Sequence, residues 1–425
     1  MTSSLPERKK LGRSLVILLA LLGVSVFINY VDRGNLSIAA PMLQDELHLA
    51  PDRLGLLLSA FFWTYALLQP IYGWLVDRLN VYWLFAGCFA LWSIATASTA
   101  LVHTFAVLFI LRLCVGLGEA VSFPSYSKII ALNYGEEHRG LANGVVGAGL
   151  ALGPGFGVLV GGTLMAHFGW RPFFIALGLG SFLWLPLWIK FMPSKNVVAP
   201  SGVQSSPSLL QFLSLRSAWG SCIGLFSGNY VNYFLLTWLP YYLVRERHFS
   251  MVEMAKIGGA GYLLGAVVSS IAGWLSDFWI RCGGTPTLVR KTFVGGGVAV
   301  CGSILCISAF IPDRTMSVVV LLVGMACWGF PCSNLWAITQ TLAGPRAAGR
   351  WTGFQNCVGN MAGVVVPVLT GEALRLTGHF SAAFVAVAAV AIMGCLTWIF
   401  VVGRIEQVDW DAMGSSEATR AVAAD

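Results

Sequence analysis

The sequence predicts an all-α integral membrane protein with 12 transmembrane helices arranged as two pseudo-symmetric six-helix bundles. Three observations predict it. Of its 425 residues, 57% are hydrophobic and only 11% charged, with a mean hydropathy of +0.75, whereas a soluble domain carries about 25% charged residues. Strongly apolar stretches recur from Leu15 to Val402, each near the length of about 20 residues that an α-helix needs to cross a bilayer. The two halves also echo each other: Gly73 to Asp77 reads GWLVD after the second stretch, and Gly273 to Asp277 reads GWLSD after the eighth, 200 residues later. A duplicated six-helix unit is a common build for secondary transporters, with the substrate held between the halves near the bilayer midplane. Disorder, a disulfide scaffold, a secreted enzyme and a coiled coil are excluded by the same composition.

Taken in order, the spans read 15–38, 54–76, 82–101, 105–131, 140–166, 172–192, 217–243, 253–279, 288–311, 316–343, 349–374 and 380–403. Residues 1–14 form a basic cytoplasmic N-terminus with Arg8, Lys9, Lys10 and Arg13; no small-residue cleavage site follows the first apolar run, so that run is expected to be retained as a helix. Spans one to six make an N-terminal bundle over 15–192, and spans seven to twelve a C-terminal bundle over 217–403. Between them, 193–216 reads as a flexible cytoplasmic linker because Pro193 to Pro207 holds three prolines and four serines. Residues 404–425 form a cytoplasmic tail. The fifth span is glycine-rich from Gly144 to Gly162 and the eighth opens with Gly258, Gly259, Gly261 and Gly265, spacings that let helix backbones approach closely in lipid. Pro154 predicts a kink in the fifth helix.

The net charge of +7 reflects topology rather than an affinity for nucleic acid. Seventeen of the 26 Lys and Arg fall in loops on the side of the N-terminus, seven on the opposite side and two inside helices. This asymmetry places both termini in the cytoplasm of a plasma (inner) membrane protein. The ten cysteines sit singly along the helices and the six histidines fall in predicted loops, so neither set suggests a metal site, and no cofactor is expected.

Charges within apolar helices carry the chemistry. Each costs on the order of 2.5–3.5 kcal/mol at the bilayer centre, which calls for a partner or a task. Asp32 and Arg33 lie in the first helix within NYVDRGNLS; Arg112 and Glu119 lie in the fourth within RLCVGLGEAVSFPS, about two turns apart on one face. An arginine keeps its proton and presents a planar fork to a carboxylate, so it serves as a permanent anion binder. A carboxyl group in a low-dielectric cavity binds a proton more readily, and a nearby cation opposes this. Asp32 and Glu119 are therefore candidate proton carriers, or else partners in buried ion pairs that hold the first and fourth helices together.

The C-terminal half is polar without charge. Asn229, Asn232 and Tyr233 share one face of the seventh helix; Ser333, Asn334 and Trp336 lie within the tenth, and Gln355, Asn356 and Asn360 within the eleventh. Amides at membrane depth serve either as interhelical bonds or as a surface that reads substrate hydroxyls, and their convergence on three helices of one half favours the second use.

NYVDRGNLSIAAP, LSAFFWTYALLQPIYGWLVDR, RLCVGLGEAVSFPS, the TWLPYYLVRERHFS run at Thr237 to Ser250 and FQNCVGN at Phe354 to Asn360 resemble the anion:cation symporter family of the major facilitator superfamily over roughly residues 15–403. The resemblance implies a proton-coupled importer of hexuronates, aldonates, aldarates, tartrate or aromatic acids. It implies a substrate carboxylate on Arg33, hydroxyl contacts from Tyr30, Tyr65, Ser333, Trp336 and Asn356, and proton coupling by Asp32 and Glu119 with Arg112 as electrostatic partner. Asp77, Arg78 and Asp277 fall in the gating loops. Two positions depart from the family pattern. Leu150 stands where sugar-acid members often have a glutamine, and Asn80 stands where superfamily members usually have a glycine.

The function expected is proton-coupled import of a small organic anion, most simply a sugar acid, by alternating access. The protein is expected to act as a monomer in the lipid bilayer with protons as its second cargo. An aromatic or dicarboxylic acid is the alternative substrate class. A drug/proton antiporter is disfavoured by Arg33, and a transporter-like sensor by the roughly 20 residues after the last span. No nucleophile, base and oxyanion-hole arrangement suggests an enzyme.

Overall fold

The computed structural model describes residues 12–134, 136–193 and 209–410. Within them the chain runs as twelve long helices: α1 (Arg13–Leu47), α2 (Pro51–Arg78), α3 (Val81–Thr99), α4 (Phe105–Asn133), α5 (Glu136–Phe156, continuing through Gly157–Gly161 to Phe168), α6 (Trp170–Phe191), α7 (Arg216–Tyr241, continuing to Glu246), α8 (Met251–Arg281), α9 (Pro286–Phe310), α10 (Arg314–Gly344), α11 (Arg350–Thr377) and α12 (Ser381–Val401). Eleven of these are long and apolar enough to cross a membrane; α7 is long enough, but its serines, asparagines and tyrosines lower its hydropathy. Its polar positions lie inside the protein, with Ser221, Ser227, Tyr230, Tyr233 and Thr237 all buried.

The packing is that of a repeated unit. In the first half α1 packs on α5, α2 on α4, and α3 on both α4 and α6; in the second α7 packs on α11, α8 on α10, and α9 on both α10 and α12. Adding six to each helix number converts one list into the other. The halves meet through α2 with α11, α5 with α8, and α1 with α7, and the first two of these contacts exchange under the same operation.

Local breaks follow the chemistry of the residues. After Pro154 the helix loosens into a π-helical turn over Gly157–Gly161, where the expected kink falls. Helix α4 is interrupted at Ala120 and Val121, immediately after Glu119. Between α10 and α11, Gly344 has φ 62° and ψ 176°, a backbone region that only glycine enters readily. His138 and His167 lie in helical ends rather than in loops, since short polar connections leave the first and last turns of α5 to carry them. The linker segment at 194–208 lies outside the described residues. The segment that follows it is helical at Leu209–Ser214, with the ring of Phe212 edge-on to Trp351 and Phe354 at 5.1 Å each. The start of the tail is also packed: Val408 N–H donates to Leu342 O at 3.0 Å, and Trp410 Nε1 donates to Ala343 O at 3.0 Å.

The halves close on the side away from residues 12 and 410. There, Gly55 of α2 lies against Pro367 of α11, and Gly162 of α5 against Ala255 of α8. Ser37 donates to Leu236 O at 2.7 Å, Tyr241 donates to Gln44 Oε1 at 2.7 Å, and Arg245 bonds both the Asp45 carboxylate and Pro41 O, the latter at 2.8 Å. Towards the chain ends, Gly144 and Gly147 of α5 meet nothing within 4 Å. The Arg245–Asp45 pair is partly exposed, so it contributes about 0.2–1 kcal/mol to closure. Arg245→Ala is expected to raise the labelling rate of a cysteine placed at Leu236 by up to about fivefold from the far side. An unchanged rate means that packing alone holds this side shut.

Candidate functional site

Helix α1 carries Asn29, Tyr30, Asp32, Arg33 and Asn35 through the centre of the N-terminal half, where all but Tyr30 are buried. A desolvated guanidinium needs compensation, and Arg33 receives it from three directions. Its guanidinium carbon lies 4.6 Å from the Tyr30 ring centroid and 4.5 Å from that of Tyr65, so two aromatic faces hold it. Such contacts are worth up to about 2 kcal/mol or more when desolvated. One Nη donates to Asn29 Oδ1 at 3.1 Å, four residues back on the same helix face. The same nitrogen lies 3.5 Å from Glu119 Oε2. Arg33 Nε has no hydrogen-bond partner among the described residues. Arg33 therefore retains donor capacity for an oxyanion.

Glu119 is fully buried at the break in α4, and neither of its oxygens has a hydrogen-bond partner among the described residues. Among the described residues its ion pair is with Arg33, on another helix, rather than with Arg112 on its own. The shared helix face of Arg112 and Glu119 does not bring them into contact, since two helical turns separate them. Arg112 instead lies 5.4 Å from the Phe61 ring centroid, the same distance as Arg33, so one ring of α2 stands beside both cations. Asp32 turns the other way, towards α3: it accepts a hydrogen bond from Thr96 Oγ1 at 2.6 Å and one from Asn35 Nδ2. Asp32 and Glu119 thus occupy different surroundings, the first hydrogen-bonded and the second held by charge alone.

Across the seam between the halves, the Phe62 ring lies 4.4 Å from that of Tyr233 on α7, whose hydroxyl donates to Asn360 Oδ1 on α11. The amides of the C-terminal half divide into two groups. Gln355 donates to Ser221 O at 3.1 Å and accepts from Thr339 at 2.8 Å, and Asn334 accepts from Ser276 at 2.7 Å; these tie helices together. Asn229, Asn232 and Asn356 are only partly buried, and Asn356 forms none of the side-chain bonds that brace α10 and α11.

Residues 22–367 match the family model of the Major Facilitator Superfamily. The chain belongs to the Major Facilitator Superfamily. It is 29% identical over 441 aligned positions to the probable galactarate/D-glucarate transporter GarP of Escherichia coli K12, an alignment spanning 95% of this chain and 98% of that protein. It is 28% identical to the hexuronate transporter of Bacillus subtilis 168, over 90% of this chain and 93% of that one. Among solved structures, an inward-facing, unoccupied bacterial homologue of the human lysosomal transporter Spinster superposes with a TM-score of 0.74 at 19% identity, covering 92% of this chain and 95% of its own. The chain is thus a membrane transporter of the Major Facilitator type.

In this Major Facilitator protein, Tyr30, Arg33 and Tyr65 form one cluster with Glu119 and, through Phe61, with Arg112. Trp336 is on the second half, 38% exposed. The side chains of Ser333 and Asp77 lie outside the described residues. Arg78 is exposed with its guanidinium 4.5 Å from the Trp74 ring, Asp277 is exposed, and neither forms an ion pair among the described residues. Both belong to the side on which the halves are parted. Thr96, Phe61 and Asn29 complete the cluster, beyond the residues that charge and resemblance point to. Asn29 had a readable signal, its spacing of four from Arg33; a lone threonine or phenylalanine in an apolar helix has none.

Proposed function

We propose that this transporter imports a sugar acid together with protons, by alternating exposure of one central site to the two sides of the membrane. The Arg33 guanidinium carries the reading: buried, held between Tyr30 and Tyr65, and with an Nε that has no partner among the described residues, it is suited to receive a carboxylate. Asn356, Ser333 and Trp336 contact the hydroxyl end of the substrate from the other half, so that a bound acid spans both. Two relatives are named for galactarate/D-glucarate and hexuronate, which supports the same substrate class. Glu119 is the coupling carboxyl, because a proton added to it removes the charge that occupies Arg33; Asp32 and Arg112 set the charge balance around it. Segments 15–192 and 217–403 move as the two rocking bodies, with Asp77, Arg78 and Asp277 in the loops that gate the side of the chain ends. The excess of Lys and Arg on that side supports cytoplasmic termini in an inner membrane, and a monomer is sufficient for the cycle.

A thermal-shift screen of the purified protein against sugar acids, tartrate, hydroxybenzoates and amino-acid-like anions tests the substrate class. A sugar acid is expected to give the largest shift. The aromatic walls around Arg33 favour an aromatic acid as the second reading, and a larger shift with hydroxybenzoate establishes it. Asn356→Leu is expected to weaken binding of polyhydroxylated acids by roughly 10-fold, about 1.4 kcal/mol, while an acid without distal hydroxyls binds as before. Competition for uptake by matched acids measures both, and equal losses make Asn356 a packing residue.

A further inference from the structure

Helix α5 is a shared wall between the halves. One side of it receives α1, with Gly149 against Phe27, Gly153 against Tyr30 and Gly157 against Val31; the other receives α8, with Gly155 against Tyr262, Val158 against Gly258 and Gly162 against Ala255. Gly153 and Gly155 belong to one turn. Tyr262 of the C-terminal half therefore stands at the depth of Tyr30, three residues from Arg33, on the opposite side of the same helical turn.

The environment of Tyr262 is unusual for its chemistry. Its hydroxyl is buried and has no hydrogen-bond partner among the described residues. It lines a narrow crevice between α5, α7 and α8 whose other walls are apolar, among them Val158, Leu235, Leu236 and Met254. Leu236 in turn lies against Gly34, the residue after Arg33. Leaving a buried hydroxyl unpaired is unfavourable, and a phenylalanine would fill the same space without that cost. The crevice lies on the side where the halves are closed, so rocking open on that side widens it and exposes its Tyr262 wall.

We propose that the Tyr262 hydroxyl is a specificity-determining contact: it hydrogen-bonds a distal hydroxyl of the substrate whose carboxylate sits on Arg33, as the halves close around it. This rests on the sugar-acid reading and adds to it a residue of α8. Selectivity then comes from a polar group that is unpaired without ligand, because an acid lacking distal hydroxyls leaves it unpaired still.

The test uses the full-length protein and Tyr262→Phe, with galactarate and adipate as probes, two six-carbon diacids that differ in their hydroxyls. Thermal stability without ligand is expected to be unchanged or higher in the variant, since only an unpaired group has been removed. Affinity for galactarate is expected to fall about fivefold to tenfold, with adipate affinity within about twofold of the unmodified protein. Unchanged galactarate affinity overturns the proposal. So does a less stable ligand-free variant that loses both acids equally, because the hydroxyl then holds the helix and not the substrate. An unmodified protein that binds no sugar acid overturns the substrate reading itself, and is distinguished by its failure before any substitution is made.

Discussion

Arg33→Lys is expected to reduce substrate uptake by at least tenfold although the charge is kept. A lysine ammonium is a compact point donor; it cannot lie flat between the rings of Tyr30 and Tyr65 or offer two parallel N–H groups to a carboxylate. Hydrogen bonds to charged groups contribute about 1.5–3 kcal/mol, so losing one lowers affinity by roughly 10- to 150-fold. The loss should appear in equilibrium binding as well as in uptake, with all carboxylate substrates affected alike, because the contact is to the group they share. Near-normal affinity in this variant removes Arg33 as the carboxylate clamp. Tyr65→Leu provides a graded companion measurement, since it keeps the fork and removes one of its two aromatic faces.

Glu119→Gln is expected to abolish proton-driven accumulation while exchange of substrate down its own gradient survives. Glutamine occupies nearly the same volume but carries no charge, so it mimics the protonated carboxyl permanently. In the protein as it stands the carboxylate is buried, has no hydrogen bond among the described residues, and meets one cation at 3.5 Å. Its charge is therefore felt chiefly by Arg33, the group proposed to receive the substrate. Counterflow in proteoliposomes measures exchange, and accumulation under an imposed pH gradient measures coupling. Accumulation persisting at the unmodified level transfers the coupling role to Asp32, whose bonds to Thr96 and Asn35 would then have to break and re-form with each cycle.

The helical membrane architecture was legible in the amino-acid sequence, as were the buried charges on which the proposed function rests. Backbone polar groups in lipid must be satisfied within a helix, so long apolar stretches define spans whatever their neighbours do. Charges in such stretches are too unfavourable to be incidental, which made Asp32, Arg33, Arg112 and Glu119 legible without coordinates. Polar spacing was less informative. Gln355 and Asn356 are adjacent in the chain, yet Gln355 ties α11 to α7 and α10 while Asn356 takes no part in those bonds, because successive residues of a helix face directions about 100° apart. Only the tertiary structure decided which charges pair. Arg112 and Glu119 share a helix face, but the ion pair crosses to Arg33 because α1 and α4 approach each other there. Thr96 and Phe61 join the site, and Tyr262 comes to its depth, through the packing of α3, α2 and α8, and such contacts leave no periodic trace in the chain. The side on which the halves close was decided there as well, since it depends on small differences between two packed arrangements of the same twelve helices, and both must remain accessible to a transporter.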